Sequence, residues 1–326
     1  GVSTGIGKVT GEKYPEDVVE WALKHEATEL VFHREPYRRS LHARLIGVKD
    51  RYVVFDKTIF YPKAGGQDHD TGYIVWNGRR YNVVNVFKIG DVIVHELETT
   101  PDIPVDSIVE QVVDWSRRYR LMRHHTATHI VLGAARRVLG DHVWQAGVEK
   151  TVDKARLDIT HHRMLSDEEI KAIEIEANKI IDQRIPLKFH YLSKFDAERK
   201  YGVRIYQGGP VYSKILRIVE IPGIDAEACY GVHVENTGEV GGIKIINVEK
   251  IQDGVIRLEF TAATRLPEYI GLIEDSHRKT LMILGVQTGD LTSVVEKKMR
   301  EFRELEDLVK YYRRILRERI LCEARS

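Results

Sequence analysis

From Glu29 to Asp114 the chain is a succession of short β-rich runs separated by turn residues, and this spacing predicts a small antiparallel β-barrel. Ser40–Tyr61 holds two runs, LHARLIGV and RYVVFDKTIFY, divided by Lys49-Asp50. Tyr73–Trp76 and Tyr81–Phe87 flank Asn77-Gly78, a dipeptide suited to a type I′ hairpin because both positions tolerate positive φ. Asp91–Leu97 and Val105–Asp114 add further strands. Upstream, residues 1–28 are Gly-rich, then weakly helical around Pro15–His25, and read as a linker or the tail of a preceding domain.

After Trp115 the apolar period becomes helical. Leu121–Leu139 carries an apolar stripe and ends at Gly140, a helix stop. Ser166-Asp167-Glu168-Glu169 matches a capping box and opens a helix that should run to about Arg184, before Pro186. Strand-like runs follow at Leu187–Leu192, Val203–Tyr206, Ile215–Ile221, Ile243–Val248 and Val255–Ala262. Helices packed on one face of a largely antiparallel sheet give an α+β class. Gly208-Gly209-Pro210 is a turn to which no chemistry is assigned.

The tail is helical and highly charged from about Ser276. Val295, Phe302, Val309 and Leu316 recur every seven residues, with Leu305 and Tyr312 at the complementary seam position and Lys298 and Arg319 interrupting it. A coiled coil and an amphipathic helix packed on its own domain fit this pattern equally well. The expected division is therefore 1–28, 29–113, 114–265 and a long C-terminal helix within 266–326.

With 326 residues the chain suits two or three domains. Hydrophobic residues at 43% and charged residues at 30% exclude a disordered chain. A net charge of +1 means that any nucleic-acid site must be a local patch. No apolar run reaches membrane-spanning length, so no membrane partner is expected. Two cysteines cannot build a disulfide scaffold, which points to a reducing, cytoplasmic setting. The first residues, GVSTGIGKVT, lack an initiator Met and an apolar signal core, so a piece of a longer protein is expected.

Two residue pairs carry the strongest chemistry. His125 and His129 stand four apart on the long helix, which puts both imidazoles on one face. Cys229 and His233 bracket Tyr230-Gly231-Val232, where glycine allows a tight turn that brings thiolate and imidazole together. Together they make a His3Cys set, a typical tetrahedral zinc donor set. His124 points away from that helix face. His161 and His162 are further candidates for an outer sphere or for substrate contact.

At these residues the chain resembles a known family. RLMRHHTATH (residues 120–129) and CYGVHVENTGE (residues 229–239) are similar to the two metal motifs of alanyl-tRNA synthetase editing domains. Tyr230 and Val232 depart from the more usual Gly-Gly-Thr between Cys and His, which puts local hydrogen bonds there in question. Phe60–Gln67 with Asp70-Thr71-Gly72 resembles the Gly-Gly-Gln loop of the family's barrel, and Val143–Gly147 with Arg156-Leu157-Asp158 resembles the segment after the metal helix. The similarity spans roughly residues 29–265. No ATP-dependent aminoacylation core is visible.

The resemblance implies a zinc-dependent hydrolase that edits alanine tRNA mischarged with serine or glycine. A pocket shaped for alanine discriminates against such neighbours by only ~1–3 kcal/mol. His125, His129, Cys229 and His233 become the expected zinc ligands, with zinc either activating water or anchoring the substrate. Gln145 is a candidate polar pocket residue, against a surface glutamine. Thr126 and Thr128 either bond a serine hydroxyl or bond back to their own helix. Gly65, Gly66 and Gln67 either approach the tRNA closely or form a hairpin turn. Arg117, Arg118, Arg120 and Arg123 form a basic cluster that contacts phosphate or is a solvated face. A homodimer is expected for a full-length protein. The rival readings are a free-standing trans-editing deacylase, a non-catalytic zinc-stabilised tRNA-binding or dimerisation module, and a threonyl-type editor.

Overall fold

The structure is a computed structural model and describes residues 14–206 and 213–323. The expected turn at Gly208-Gly209-Pro210, and most of the expected linker before residue 14, lie outside the described residues. The chain divides at Leu266/Pro267 into two compact units.

The first unit opens with α1 (Glu16–Ala22), β1 (Glu29–Leu30) and the short α2 (Val31–Arg34). Then come β2 (Ser40–Lys49), β3 (Tyr52–Phe55), β4 (Lys57–Thr58), β5 (Gly72–Trp76), β6 (Arg79–Ile89), β7 (Val92–Leu97) and β8 (Ile108–Val113). Six of these strands close a barrel in the order β2-β3-β7-β6-β5-β8, and every pair is antiparallel. The alternation in β2 explains the closure: Leu41, Ala43 and Leu45 face inward, joined by Val53, Phe55, Ile74, Tyr81, Val83 and Ile93. The hairpin at Asn77-Gly78 forms as expected, with φ of 47° and 74° and Trp76 paired to Arg79. Residues 14–28 are not a separate linker. Val18 and Ala22 of α1 are buried with Val54, Phe87, Ile89, Val92 and Val94 on the outer wall of the barrel.

The rest of the first unit is built on α3 (Trp115–Leu139). It begins six residues earlier than the apolar stripe indicates, because the Asp114 side chain accepts a hydrogen bond from the Arg117 amide and caps it. Gly140 ends it, at φ 113°. Nearly every residue from Leu121 to Ala135 is buried, so α3 is a central helix rather than a surface one. After it come β9 (Gln145–Lys150), β10 (Ala155–Thr160), α4 (Asp167–Asp182), β11 (Lys188–Ser193), α5 (Lys194–Tyr201), β12 (Ile215–Ile221), β13 (Asp225–Ala228), β14 (Ile243–Gln252) and β15 (Val255–Ala262). The capping box of Ser166 and Glu169 is present in full. The expected strand at Val203–Tyr206 is instead one turn of 3-10 helix, Val203–Ile205, whose Ile205 plugs a small core with Leu216 and Ile218.

Two antiparallel sheets flank α3, one ordered β14-β15-β10-β9 and the other β11-β12-β13. Met122, Ala127, Ile130, Val131 and Ala134 of α3 share a core with Leu157, Ile159, Leu258 and Phe260 of the larger sheet and Ile173, Ala177 and Ile180 of α4. Each such full burial of a large aliphatic or aromatic side chain contributes ~1.5–3 kcal/mol. Phe32 and Tyr61 from the barrel side belong to this same core. The barrel strands, the four-stranded sheet and the helices thus give the mixed α and β class expected.

The second unit holds the rest of α6 (Arg265–Ile283) and α7 (Leu291–Glu323). Gly285, at φ 74°, and Gly289, at φ 147°, separate the two helices. The heptad residues Val295, Phe302, Leu305, Val309, Tyr312 and Leu316 of α7 are all exposed. Among the described residues no helix is long and apolar enough to cross a membrane.

Candidate metal centre

α3 carries His125 and His129 one turn apart, and the segment after β13 carries Cys229 and His233. All four are buried, and one donor atom from each lies within 4.8 Å of the others. Cys229 Sγ is 3.2 Å from His125 Nε2 and 3.4 Å from His233 Nε2. The two distant pairs therefore meet, as their residue types require of a metal site.

Each imidazole is held through its other nitrogen. His125 Nδ1 is 2.6 Å from Gln67 Oε1, which also accepts the Val232 amide at 3.2 Å. His129 Nδ1 donates to Asp225 Oδ2 at 3.0 Å. His233 Nδ1 lies 3.1 Å from Thr126 Oγ1, which also accepts the Val234 amide at 3.3 Å. The acceptors at Nδ1 of His125 and His129 place a hydrogen there and turn Nε2 to the other side of each ring, while the Thr126 hydroxyl fixes the His233 ring through its Nδ1. His129 Nε2 is buried and has no hydrogen-bond partner. Such oriented imidazoles are what a metal requires of its ligands.

The donor set fits zinc. With Zn–N near ~2.0 Å and Zn–S near ~2.3 Å, a tetrahedral site separates neighbouring nitrogen and sulfur ligands by about 3.5 Å. The observed sulfur–nitrogen distances sit at that edge length. Electrostatics distinguish the three rings. Burial pushes His125 and His233 well below the usual imidazole range, so both are neutral. Burial also pushes His129 down, but Asp225 and Cys229 outweigh it and bring the group to about 9, so this ring carries a second proton that a metal would displace from Nε2. For Cys229 burial pushes the thiol up, yet His129, Lys150 and Arg217 outweigh it and hold it at about 7.

Gly231 matters for space rather than for a turn. A Cβ there would lie 1.9 Å from His125 Cε1 and 2.8 Å from Gln67 Oε1. The departures Tyr230 and Val232 keep their local bonds: the Val232 amide serves Gln67, and the Tyr230 carbonyl faces His33 Nε2 at 2.5 Å. Arg217 donates to the carbonyls of Cys229 and Gly231 at 2.8 and 2.9 Å and pins this segment.

Several expected roles change once the side chains are placed. Gln67 does not face outward toward a tRNA: it is buried against His125. Gly65 and Gly66, at φ 56° and 72°, form the turn between Ala64 and Gln67, which pair across it. A Cβ on Gly66 would sit 2.5 Å from the Val148 carbonyl oxygen, so this loop closes tightly on β9. Thr126 serves His233, whereas Thr128 bonds back to the His124 carbonyl of its own helix at 2.9 Å.

The structure separates the four arginines of the basic cluster. Arg118 is fully buried, paired with Asp70 and bonded to the carbonyls of Pro36 and Ile59. Arg117 pairs with Asp68 at 2.7 Å and bonds the His69 carbonyl. Arg123 stacks on the Tyr119 ring at 3.9 Å, and Arg120 is half-buried. The acidic residues of Asp68-His69-Asp70 absorb the charge of this turn, because its first residues lie against the barrel. Gln145 is buried, and its Nε2 has no hydrogen-bond partner. His161 and His162 make ring contacts with each other and with His142.

Sequence reading missed Asp225, Arg136, Glu227, Lys150 and His33. Asp225 bridges His129 and Arg136, whose Nη1 is 2.6 Å from it and whose Nη2 is 3.2 Å from Glu227. One signal was available: Asp225 and Glu227 alternate along β13, with Cys229 next in the same alternation just past its end, and all three are buried. Lys150 is fully buried. Its Nζ donates to the Gly65 carbonyl at 2.8 Å, and burial brings it down to about 8. A cleft of about 210 Å3 lies between the Gly-Gly-Gln loop and β9, lined by Ala64, Gly66, Gln67, Val148, Lys150 and Arg156 among others.

Comparisons with known proteins bear on both halves of the first unit. Residues 13–117 match the family described as tRNA synthetases class II (A), and residues 216–259 match the threonyl and alanyl tRNA synthetase second additional domain. The second match contains Cys229 and His233, while His125 and His129 fall outside both. An alanine-tRNA ligase of Staphylothermus marinus is 56% identical over 98% of this chain and 35% of its own length. Those of Ignicoccus hospitalis and Hyperthermus butylicus are each 47% identical, over 96% and 100% of this chain and 35% and 36% of their own lengths. The chain spans about a third of the length of these relatives. With a barrel, a synthetase-type additional domain and relatives of one kind along nearly its whole length, the chain belongs to the alanyl-tRNA synthetase family.

Proposed function

We propose that this chain carries hydrolytic editing: it cleaves the ester joining serine or glycine to alanine tRNA, with zinc held by His125, His129, Cys229 and His233. The observation that supports this most is the convergence of three Nδ1-anchored imidazoles and one low-lying thiol on a single point. When bound, zinc supplies Lewis-acid polarisation or a positive anchor for a substrate acceptor atom.

The chain's own residues set the geometry. Gln67, Asp225 and Thr126 hold the three rings, so Thr126 is a positioning residue. The cleft beside Gln67 is of a size for a small aminoacyl group; Gly66 lines it, and Gly65, whose carbonyl accepts from Lys150 of the lining, completes the expected contact for the 3′ end. Gln145 offers a buried amide nitrogen with no partner, which supports a polar pocket role. In this reading residues 29–113 are a barrel domain, 114–265 the editing domain and 266–326 a tail. The exposed α7 seam supports a homodimer in a full-length protein. A free thiol at the centre supports a reducing, cytoplasmic setting.

The test is deacylation of seryl-, glycyl- and alanyl-charged alanine tRNA. Release of serine and glycine but not alanine, abolished by Cys229→Ala, is the expected outcome. A parallel assay on threonine tRNA separates a threonyl-type editor. One observation favours a second reading: four protein ligands close a zinc site, as in structural centres. A zinc-loaded chain that leaves every ester intact yet binds tRNA would establish that non-catalytic module.

A further inference from the structure

A second histidine cluster lies outside the centre described above. His142 follows the C-terminal cap of α3, and His161 and His162 follow the end of β10. Ligand nitrogens of all three lie within 4.8 Å of one another. His142 Nε2 and His161 Nδ1 are 2.8 Å apart, and the His161 and His162 ring centroids are 4.6 Å apart. His161 is 4% exposed, whereas His142 and His162 are exposed.

Hydrogen bonding alone leaves this cluster incomplete. If His161 Nδ1 accepts from His142, its Nε2 carries a hydrogen with nowhere to donate. If Nδ1 donates, Nε2 is a bare lone pair. In both tautomers Nε2 is buried without a partner. Arg163 adjoins His162 in the chain. The Arg163 charge is itself met by Glu169, through bonds of 2.7 and 2.8 Å. Three imidazoles gathered on one buried pivot and open to solvent on two sides form a nitrogen donor set for a borderline divalent cation.

We propose that His142, His161 and His162 form a second metal site, for one divalent transition-metal ion of the zinc, cobalt or nickel type, with its remaining coordination positions toward solvent. Such an ion would staple the end of α3 to the end of β10, two elements that also meet where Thr160 Oγ1 donates to the His142 carbonyl at 2.6 Å.

The test is equilibrium dialysis of the tag-free chain against Zn2+, followed by metal analysis. Two metals per chain are expected in the wild type and one in His142→Ala/His162→Ala. Those two side chains are exposed, so the variant should fold. Each single substitution should weaken the second equivalent at least about tenfold. With Co2+ in place of Zn2+, the sulfur-to-cobalt absorption of the Cys229 centre should persist in the double variant, which separates failure of this site from failure of the first. A wild-type chain that holds one metal only and shows the sulfur-to-cobalt absorption, or a double variant that still holds two, would overturn the proposal.

Discussion

Gln67 and His125 are joined by a 2.6 Å contact between the amide oxygen and Nδ1, across the boundary between the barrel loop and the central helix. The contact orients one ring of the candidate metal centre from outside the segments that carry its ligands.

Gln67→Ala should leave His125 Nδ1–H buried without an acceptor. Zinc affinity is expected to fall ~10–100-fold, the usual cost of removing an outer partner of a ligand histidine. Competition with a chromogenic chelator measures this. An unchanged affinity would show that the loop is not part of the centre.

At Gly231 an added methyl would fall inside the His125 ring. Gly231→Ala should therefore displace His125 or the Cys229–His233 segment, costing ~1–3 kcal/mol as overpacking and most of the metal with it. Gly78→Ala is the control, because nothing lies within 4 Å of its Cβ position and only the φ of 74° opposes it. Urea unfolding and metal analysis of both variants should separate them.

Arg118 and Asp70 are both fully buried and paired. Removing one partner by Arg118→Ala strands the other charge, with an expected loss of ~3–5 kcal/mol. The salt dependence of tRNA binding should not change in any variant that still folds, since this guanidinium does not reach solvent. A flatter salt slope with intact stability would return Arg118 to the phosphate-binding role read from the sequence.

His95 is buried in the barrel wall, 2.7 Å from Thr58 Oγ1, and burial lowers it to about 3. Unfolding would return it to about 6.5, so the unfolded chain binds the extra proton between those values. The contribution to stability is complete above pH 6.5 and declines as pH falls toward 3, by about 1.4 kcal/mol per unit. The difference between wild-type and His95→Gln stability curves, measured by denaturant unfolding across that window, should show this slope. Parallel curves would refute it.

Much of the fold was legible because its signals are local. Asn77-Gly78 forms its hairpin, Ser166 and Glu169 cap their helix, and β2 alternates as a barrel strand should. β13 was not legible: Asp-Ala-Glu-Ala has little intrinsic strand preference and is a strand because β12 pairs with it. Val203–Tyr206 looked like a strand for the opposite reason, its composition, and folds as a 3-10 turn over its own small core.

By itself the sequence determined the donors. Two histidines four apart on a helix must share a face, and a cysteine and histidine four apart beside a glycine can turn toward one point, both from short-range geometry. Tertiary structure alone decided what surrounds them. Gln67 turned inward, Arg118 was buried on Asp70, and Asp225 was brought under His129. Those roles depend on which groups lose their water, and desolvation is a property of packing between segments up to about a hundred residues apart, which no local spacing records.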